Sequence, residues 1–232
     1  VTDSEEWARA RDRIIAEEYS REWRSGGDKP IVAIDIDGTL GDYHSHFLWF
    51  AERWLGKPMP DATEVNPGMR LSTFMGISHH VYRECKLAYR QGGLKRFMPV
   101  YPFASSLTHN VRAAGAQLWI CTTRPYLRLD NIDPDTREWL RRNEIEYDAV
   151  VWEGLDGETK YHDLVDQVGL SRIVAVADDL PEQVQDASRQ GIRQVYVRDQ
   201  PYNRDSGLGN IRVNTLEELW QLLDIDIDVW KG

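Results

Sequence analysis

Apolar positions along this chain fall into two rhythms. Ile31, Val32, Ala33, Ile34 and Ile36 form a near-continuous apolar run, the pattern of a strand buried on both faces. From Pro99 onward such runs alternate with amphipathic stretches of helical period. A helix at roughly 103–114 leads to the strand AQLWICTT, and a helix at roughly 134–143, with Asp133 as N-cap, leads to YDAVVWE. A helix near 160–168 leads to RIVAVADD. The helix PEQVQDASRQG opens with Pro181 and closes with Gly191, which matches helix start and stop chemistry, and it leads to IRQVYVRD. A last helix, TLEELWQLLD, follows Asn214. Strands alternating with helices of this length predict an α/β fold with a Rossmann-like parallel sheet and right-handed crossovers.

Two segments stand outside that alternation. Residues 1–24 read as a helix, with Trp7, Ala10, Ile14, Ile15 and Tyr19 at helical spacing, stopped by Ser25-Gly26-Gly27-Asp28. Residues 43–98 are rich in aromatics and His, are broken by Gly and Pro, and show no strand alternation. FLWFAERWLG and ISHHVYRECKLAYRQGG look helical. The expected organisation is therefore a core of residues 1–42 and 99–232 with a helical insertion, 43–98, after the first strand. No internal repeat is visible.

The composition narrows the function. The 232 residues carry 28 Lys+Arg and 38 Asp+Glu, a formal charge of −10, which disfavours a general binder of nucleic-acid backbones. No apolar run approaches the ~20 residues that span a bilayer, and VTDSEEWARARDR has no apolar signal-peptide core. Two cysteines, Cys85 and Cys121, exclude a disulfide framework and a Cys-rich zinc module. A cytoplasmic protein of a reducing compartment is the expectation, with no membrane partner.

Candidate chemistry sits at strand ends, where ligands bind in open α/β sheets. The first strand ends Asp35-Ile36-Asp37-Gly38-Thr39, the second Cys121-Thr122-Thr123-Arg124, and the fourth Ala177-Asp178-Asp179. If these strands are neighbours, four carboxylates converge with two hydroxyls. So many carboxylates cannot share a low-dielectric site unpaired. A hard cation solves the problem, and an all-oxygen set suits Mg²⁺.

The run D-x-D-G-T-L at the end of a buried first strand resembles the haloacid dehalogenase superfamily of phosphohydrolases. The other motifs follow in that family's order: Thr122, then Lys160, then Asp178-Asp179. Lys160 is the sole lysine between Lys95 and Lys231, and Arg172 is a poor rival inside a strand. The resemblance implies that Asp35 is the nucleophile, forming an aspartyl-phosphate. It implies that Asp37 protonates the leaving oxygen and later activates water. Two residues apart on a strand, both carboxylates can leave on one face. Thr122 would hydrogen-bond a phosphoryl oxygen, with Thr123 and Arg124 also at the substrate. Lys160 would offset negative charge, and Mg²⁺ would be held by Asp35, the backbone carbonyl of Asp37, Asp178 and Asp179.

Plainer readings stand beside these. An Asp before Gly is commonly a turn, Glu182 suits a helix dipole, and Asp42 suits a solvated loop. His44, His46, His79 and His80 have no Cys partner to support a zinc site. In the resembling superfamily an insertion after the first motif is a cap over the site. Tyr43, Phe47, Trp49, Phe50, Trp54, Phe74, Tyr82 and Tyr89 would serve as its core or stack on a base. Arg83, Arg90, Lys95 and Arg96 would meet phosphate or be solvated. DIDGTLGD with a helical cap looks like the 5′(3′)-deoxyribonucleotidases, whereas TTRPYLRLDNIDPDTREWLRRN looks like the phosphatase part of polynucleotide kinases. Both imply a nucleotide-like phosphate monoester. A nucleic-acid 3′-phosphate or a sugar phosphate is the alternative, as is a catalytically idle binding protein.

Overall fold

The computed structural model describes residues 29–126, 128–153 and 159–225; the helix expected over 1–24 lies outside them. The strands are β1 (Ile31–Ile34), β2 (Gln117–Thr122), β3 (Ala149–Trp152), β4 (Ile173–Asp178), β5 (Gln194–Arg198) and β6 (Ile211–Val213). They form one parallel sheet in the order β3-β2-β1-β4-β5-β6. β1 thus lies between β2 and β4, with Ile34 opposite Ile120 on one side and Ala177 on the other.

Both sheet faces are covered, as the unbroken apolar runs require. Val32, Ile34, Leu118 and Ile120 join one buried cluster, while Ile31, Ala33, Trp119 and Cys121 join another. The crossover helices are α4 (Ala104–Ala113), α5 (Ile132–Arg142), α6 (Lys160–Val168) and α7 (Pro181–Arg189), and α8 (Leu216–Leu222) follows β6. The 43–98 segment contains α1 (Tyr43–Leu55), α2 (Leu71–Phe74) and α3 (His79–Gln91), with one 3₁₀ turn between α1 and α2 and another after α3. Its Phe47, Cys85 and Tyr89 belong to the same apolar cluster as Ile34 and Ile120, so the insertion shares its core with one face of the sheet.

Several local expectations are corrected. Asp133 is not the cap of α5. The helix begins two residues earlier than expected, at Ile132 after Asn131, and Asp133 sits in its first turn, where Arg137 Nε donates to it at 2.9 Å. Arg172 lies in a 3₁₀ turn before β4 rather than within the strand, and donates to Gln117 Oε1 at 2.9 Å. Asp42 caps α1, accepting from Ser45 N at 3.2 Å. β6 has no counterpart in the sequence reading. It is three residues long and its Ile211 is exposed, too short and too wet to print an apolar run. No helix among the described residues is long and apolar enough to cross a membrane.

Candidate active site

The sheet order brings the three polar strand ends together. Beyond β1, Asp35 N still donates to Ala177 O at 3.0 Å, which keeps Asp35 in register beside β4. The chain then folds into a tight turn, with Leu40 N and Gly41 N both donating to Ile36 O, at 3.0 and 2.8 Å. Gly38 enters this turn at φ +104°, a conformation that suits glycine.

At the bottom of the site lie Asp35, Asp178, Asp179 and Lys160, all buried. Lys160 opens α6, whose N-cap Thr159 accepts from His162 N at 3.2 Å. Its ammonium donates to Asp35 Oδ1 at 2.5 Å and to Cys121 O at 3.2 Å, and lies 2.7 Å from Asp178 Oδ2. All three ammonium protons therefore have an acceptor. Asp178 also accepts from Tyr161 OH at 2.8 Å and from Leu180 N at 2.9 Å. Asp179 accepts from Thr39 Oγ1 at 3.1 Å and from Tyr202 OH.

Burial is the largest influence on these groups. It lifts the Asp35 carboxyl to about 7, with Asp178 and Asp37 pushing the same way and Lys160 opposing. Burial likewise raises Asp179 well above the carboxylate range, reinforced by Asp178 and Asp35. For Lys160 burial works against the charge, but Asp178 and Asp35 outweigh it and hold the ammonium protonated. Three carboxyl groups thus face one cation, an excess of acid groups that protons or another positive group must offset.

A metal ion fits that excess. Asp35, Asp178 and Asp179 each offer a carboxylate oxygen, and these lie within 4.8 Å of one another. The donor set is all oxygen, which suits a hard cation. The four histidines of the zinc alternative are occupied separately. His44 lies against the Tyr202 ring, His46 Nδ1 is 2.8 Å from Tyr89 OH, His79 stacks on Tyr82, and His80 Nε2 is 3.3 Å from Glu84 Oε1.

Asp37 occupies a second, shallower compartment. Arg124 Nη2 donates to it at 2.6 Å, Arg124 Nε at 3.2 Å, and Lys95 Nζ also donates to it. Burial alone would raise this carboxyl, but Arg124 and Lys95 overcome it and hold Asp37 far below the usual range. Arg124 is itself buried, anchored through Nη1 to Thr136 Oγ1 at 2.9 Å. The Lys95 ammonium also sits 4.2 Å from the centre of the Tyr43 ring. Thr122 is buried at the end of β2 and its Oγ1 accepts from Arg124 N at 3.3 Å; Thr123, next to it, is partly exposed.

The strand-end residues singled out from sequence therefore share one location. The reading missed Lys95 as a partner of Asp37. It also missed Thr39, Tyr161 and Tyr202 as hydrogen-bond donors to the acidic pair. Thr39 was legible, since it lies inside the D-x-D-G-T run. Tyr202 follows β5, and its side chain reaches the site only through the sheet order. Glu182 is exposed in the first turn of α7.

The turn yields a sharp expectation. A Cβ at position 38 would stand 2.6 Å from Tyr202 OH and collide with Asp179 Oδ2, besides straining φ. Gly38→Ala is expected to lower stability by about 1–3 kcal/mol, read as a lower denaturant midpoint. A midpoint equal to wild type would show that Asp179 and Tyr202 move aside freely.

No family model matches the sequence, and no curated protein matches it. Solved structures do match in shape. A haloacid dehalogenase-like family hydrolase from Streptococcus pneumoniae aligns with a TM-score of 0.62 at 17% identity, covering 85% of this chain and 99% of that one. A haloacid dehalogenase (HAD) superfamily hydrolase of subfamily IA from Geobacter sulfurreducens aligns at 0.53 and 16% identity, covering 86% and 98%. CbbY from Rhodobacter sphaeroides, solved in complex with phosphate, aligns at 0.53 and 15% identity, covering 82% and 96%. The six-stranded parallel sheet, its order and these likenesses give the chain the Rossmann-like fold of the haloacid dehalogenase hydrolases.

Proposed function

We propose that the protein is a Mg²⁺-dependent phosphomonoesterase acting through an aspartyl-phosphate on a small phosphorylated metabolite. The observation that carries this reading is the buried group of Asp35, Asp178 and Asp179 around Lys160, with Asp37 two residues beyond Asp35. Asp35 Oδ attacks phosphorus in line while the ester oxygen departs. Asp37 delivers a proton to that oxygen and then takes one from the water that hydrolyses the acyl phosphate. Thr122 donates to a phosphoryl oxygen, and Thr123 lines the approach. Lys160 keeps its charge beside the nucleophile and offsets that of the phosphoryl group. Asp35, Asp178 and Asp179, with the Asp37 backbone carbonyl, would hold Mg²⁺, which when bound stabilises the charge on the transferring phosphoryl oxygens.

Lys95 and Arg124 give Asp37 its schedule. Together they hold it ionised, the state a base needs and an acid does not. An incoming phosphate dianion offers both cations a second partner, and a loosened Asp37 can then take up the proton it must donate.

The leaving group is a matter for the 43–98 segment. A nucleotide requires free ring faces, and the aromatics that motivated it largely serve one another. Tyr43 stacks on Phe47, and Tyr89 meets Tyr43, Phe47 and Phe50 edge-on. This favours a small-metabolite phosphate over the nucleotide suggested by the resemblance to nucleotidases and to polynucleotide kinase phosphatases.

The test is a phosphatase screen over p-nitrophenyl phosphate, sugar phosphates, nucleotides and a 3′-phosphorylated oligonucleotide. EDTA is expected to abolish turnover and Mg²⁺ to restore it. Full activity in EDTA would remove the metal from the scheme, and no turnover of any ester would leave a binding protein.

A further inference from the structure

A cleft of about 620 Å³ opens between α3 and the loop that follows β2, the loop that begins with Thr123 and with Arg124, the partner of Asp37. Arg83, Lys86 and Arg90 line it from α3, and Arg128 faces them from the loop. The helical positions 83, 86 and 90 recur at i, i+3 and i+7, so one face of α3 supplies three cations. In a chain of net charge −10 this stands out, because many of the described cations are paired with acids. Arg96, Arg112, Arg137, Arg141, Arg204 and Arg212 each hold an Asp or Glu.

The four cleft cations form no salt bridge with any carboxylate of the described residues. Glu84, the acid at this rim, is turned to His80 at 3.3 Å. Arg90 Nε is buried without a hydrogen-bond partner. The Lys86 ammonium lies over the Tyr82 ring, 5.6 Å from its centre. Like charges gathered without counter-charges cost free energy unless an anion joins them.

The cleft is coupled to the site by position. Lys86 lies near enough to Asp37 to feel its charge. Arg90 O accepts from Asn131 at 2.7 Å, and Asn131 also holds Asp135, the partner of Arg96 next to Lys95. A substrate whose scissile phosphate meets Asp35 could therefore extend between α3 and the loop after β2.

We propose that this cleft receives a second, non-scissile phosphate, so that the preferred substrate is a small molecule carrying two phosphate groups. The inference rests on the phosphatase reading above and adds the substrate class. Guanidinium groups suit it, since each offers paired donors to phosphate oxygens. The skeleton between the phosphates is a small sugar-like metabolite, as the reading above has it, and the adenosine pair in the assay tests the nucleoside alternative.

The experiment compares kcat/KM for matched pairs: fructose 1,6-bisphosphate against fructose 6-phosphate, and adenosine 3′,5′-bisphosphate against each adenosine monophosphate. In at least one pair the wild type is expected to prefer the bisphosphate by about 10-fold or more, in keeping with one or two charge-assisted hydrogen bonds. The doubly substituted Arg83→Ala, Arg128→Ala protein, checked for folding by circular dichroism, should lose most of that preference. Its kcat/KM for p-nitrophenyl phosphate should fall far less. Raising the salt concentration should also shrink the preference. Calorimetry with the Asp35→Asn protein reads binding without turnover, where the bisphosphate should bind more tightly and the two arginine substitutions should weaken it. Turnover of p-nitrophenyl phosphate with no bisphosphate preference in either pair overturns this inference and spares the phosphatase reading. Absence of all turnover sinks the phosphatase reading, and calorimetry then decides alone: equal binding of mono- and bisphosphate, or binding indifferent to Arg83 and Arg128, overturns the proposal.

Discussion

Asp35→Asn is expected to abolish turnover while leaving the protein folded and no less stable. The amide has the shape of the carboxylate but cannot form the acyl phosphate, so the loss should reach about 10⁴-fold or more. Its effect on stability should run the other way. Asp35 is a buried acid beside Asp178 and Asp37, and burial already pushes its carboxyl up to about 7. Removing that charge relieves the repulsion, and Lys160 keeps Asp178 at 2.7 Å. The thermal midpoint should therefore stay level or rise by a few degrees. Rapid-quench assay for a phosphorylated protein and a melting curve check the two halves. Substantial residual activity would place the nucleophile elsewhere, and a large drop in midpoint would make Asp35 structural.

Lys160→Met should be the most damaging change to the site as a whole. Lys160 is fully buried and faces Asp35 and Asp178 directly, with Asp179 close by. Methionine fills similar space without the charge, leaving buried carboxylates with no ammonium. Removing one partner of a buried ion pair costs about 3–5 kcal/mol, enough to lower the denaturant midpoint markedly. Activity should fall with it, because Asp35, the proposed nucleophile, loses the cation that holds its Oδ1. Added Mg²⁺ should recover part of the lost stability if the acidic group binds cation, since a ligand bound to the folded state stabilises it. A variant as stable as wild type without metal would mean that the carboxylates are neutralised by protons alone.

Both expectations turn on residues that are far apart in sequence, which bears on how much the chain disclosed by itself. The apolar runs at 31–36, 117–122, 149–152 and 173–177 announced strands buried on both faces. The Pro181 start was legible because it follows from local backbone chemistry. Asp133 was misplaced as a cap because its carboxylate pairs with Arg137 inside the first turn, while Asn131 at the helix start makes no side-chain cap hydrogen bond. β6 left no trace because a short edge strand with one face in water needs no apolar alternation.

The site divides in the same way. Asp35, Asp37, Thr122 and Asp178-Asp179 announced themselves because strand ends are where a parallel sheet exposes polar groups. Lys160 was reached through resemblance and spacing. Lys95 lies in GGLKRF, among residues with no periodic signal, and nothing local distinguishes it from a solvated lysine. It matters because the insertion packs onto the sheet face through Phe47, Cys85 and Tyr89, and that packing delivers its ammonium to Asp37.

Sequence alone determined the α/β class, the parallel connectivity and the identity of the strand-end acids, because each depends on local periodicity and on residue type. The tertiary structure decided which of those ends are neighbours. It set Lys160 against two carboxylates, closed Arg124 and Lys95 around Asp37, and spent the rings of Tyr43, Phe47 and Tyr89 on internal packing. Pairing of buried charges and sharing of apolar faces are settled between distant segments, where burial makes each unmet group costly, and no single stretch of chain records that settlement.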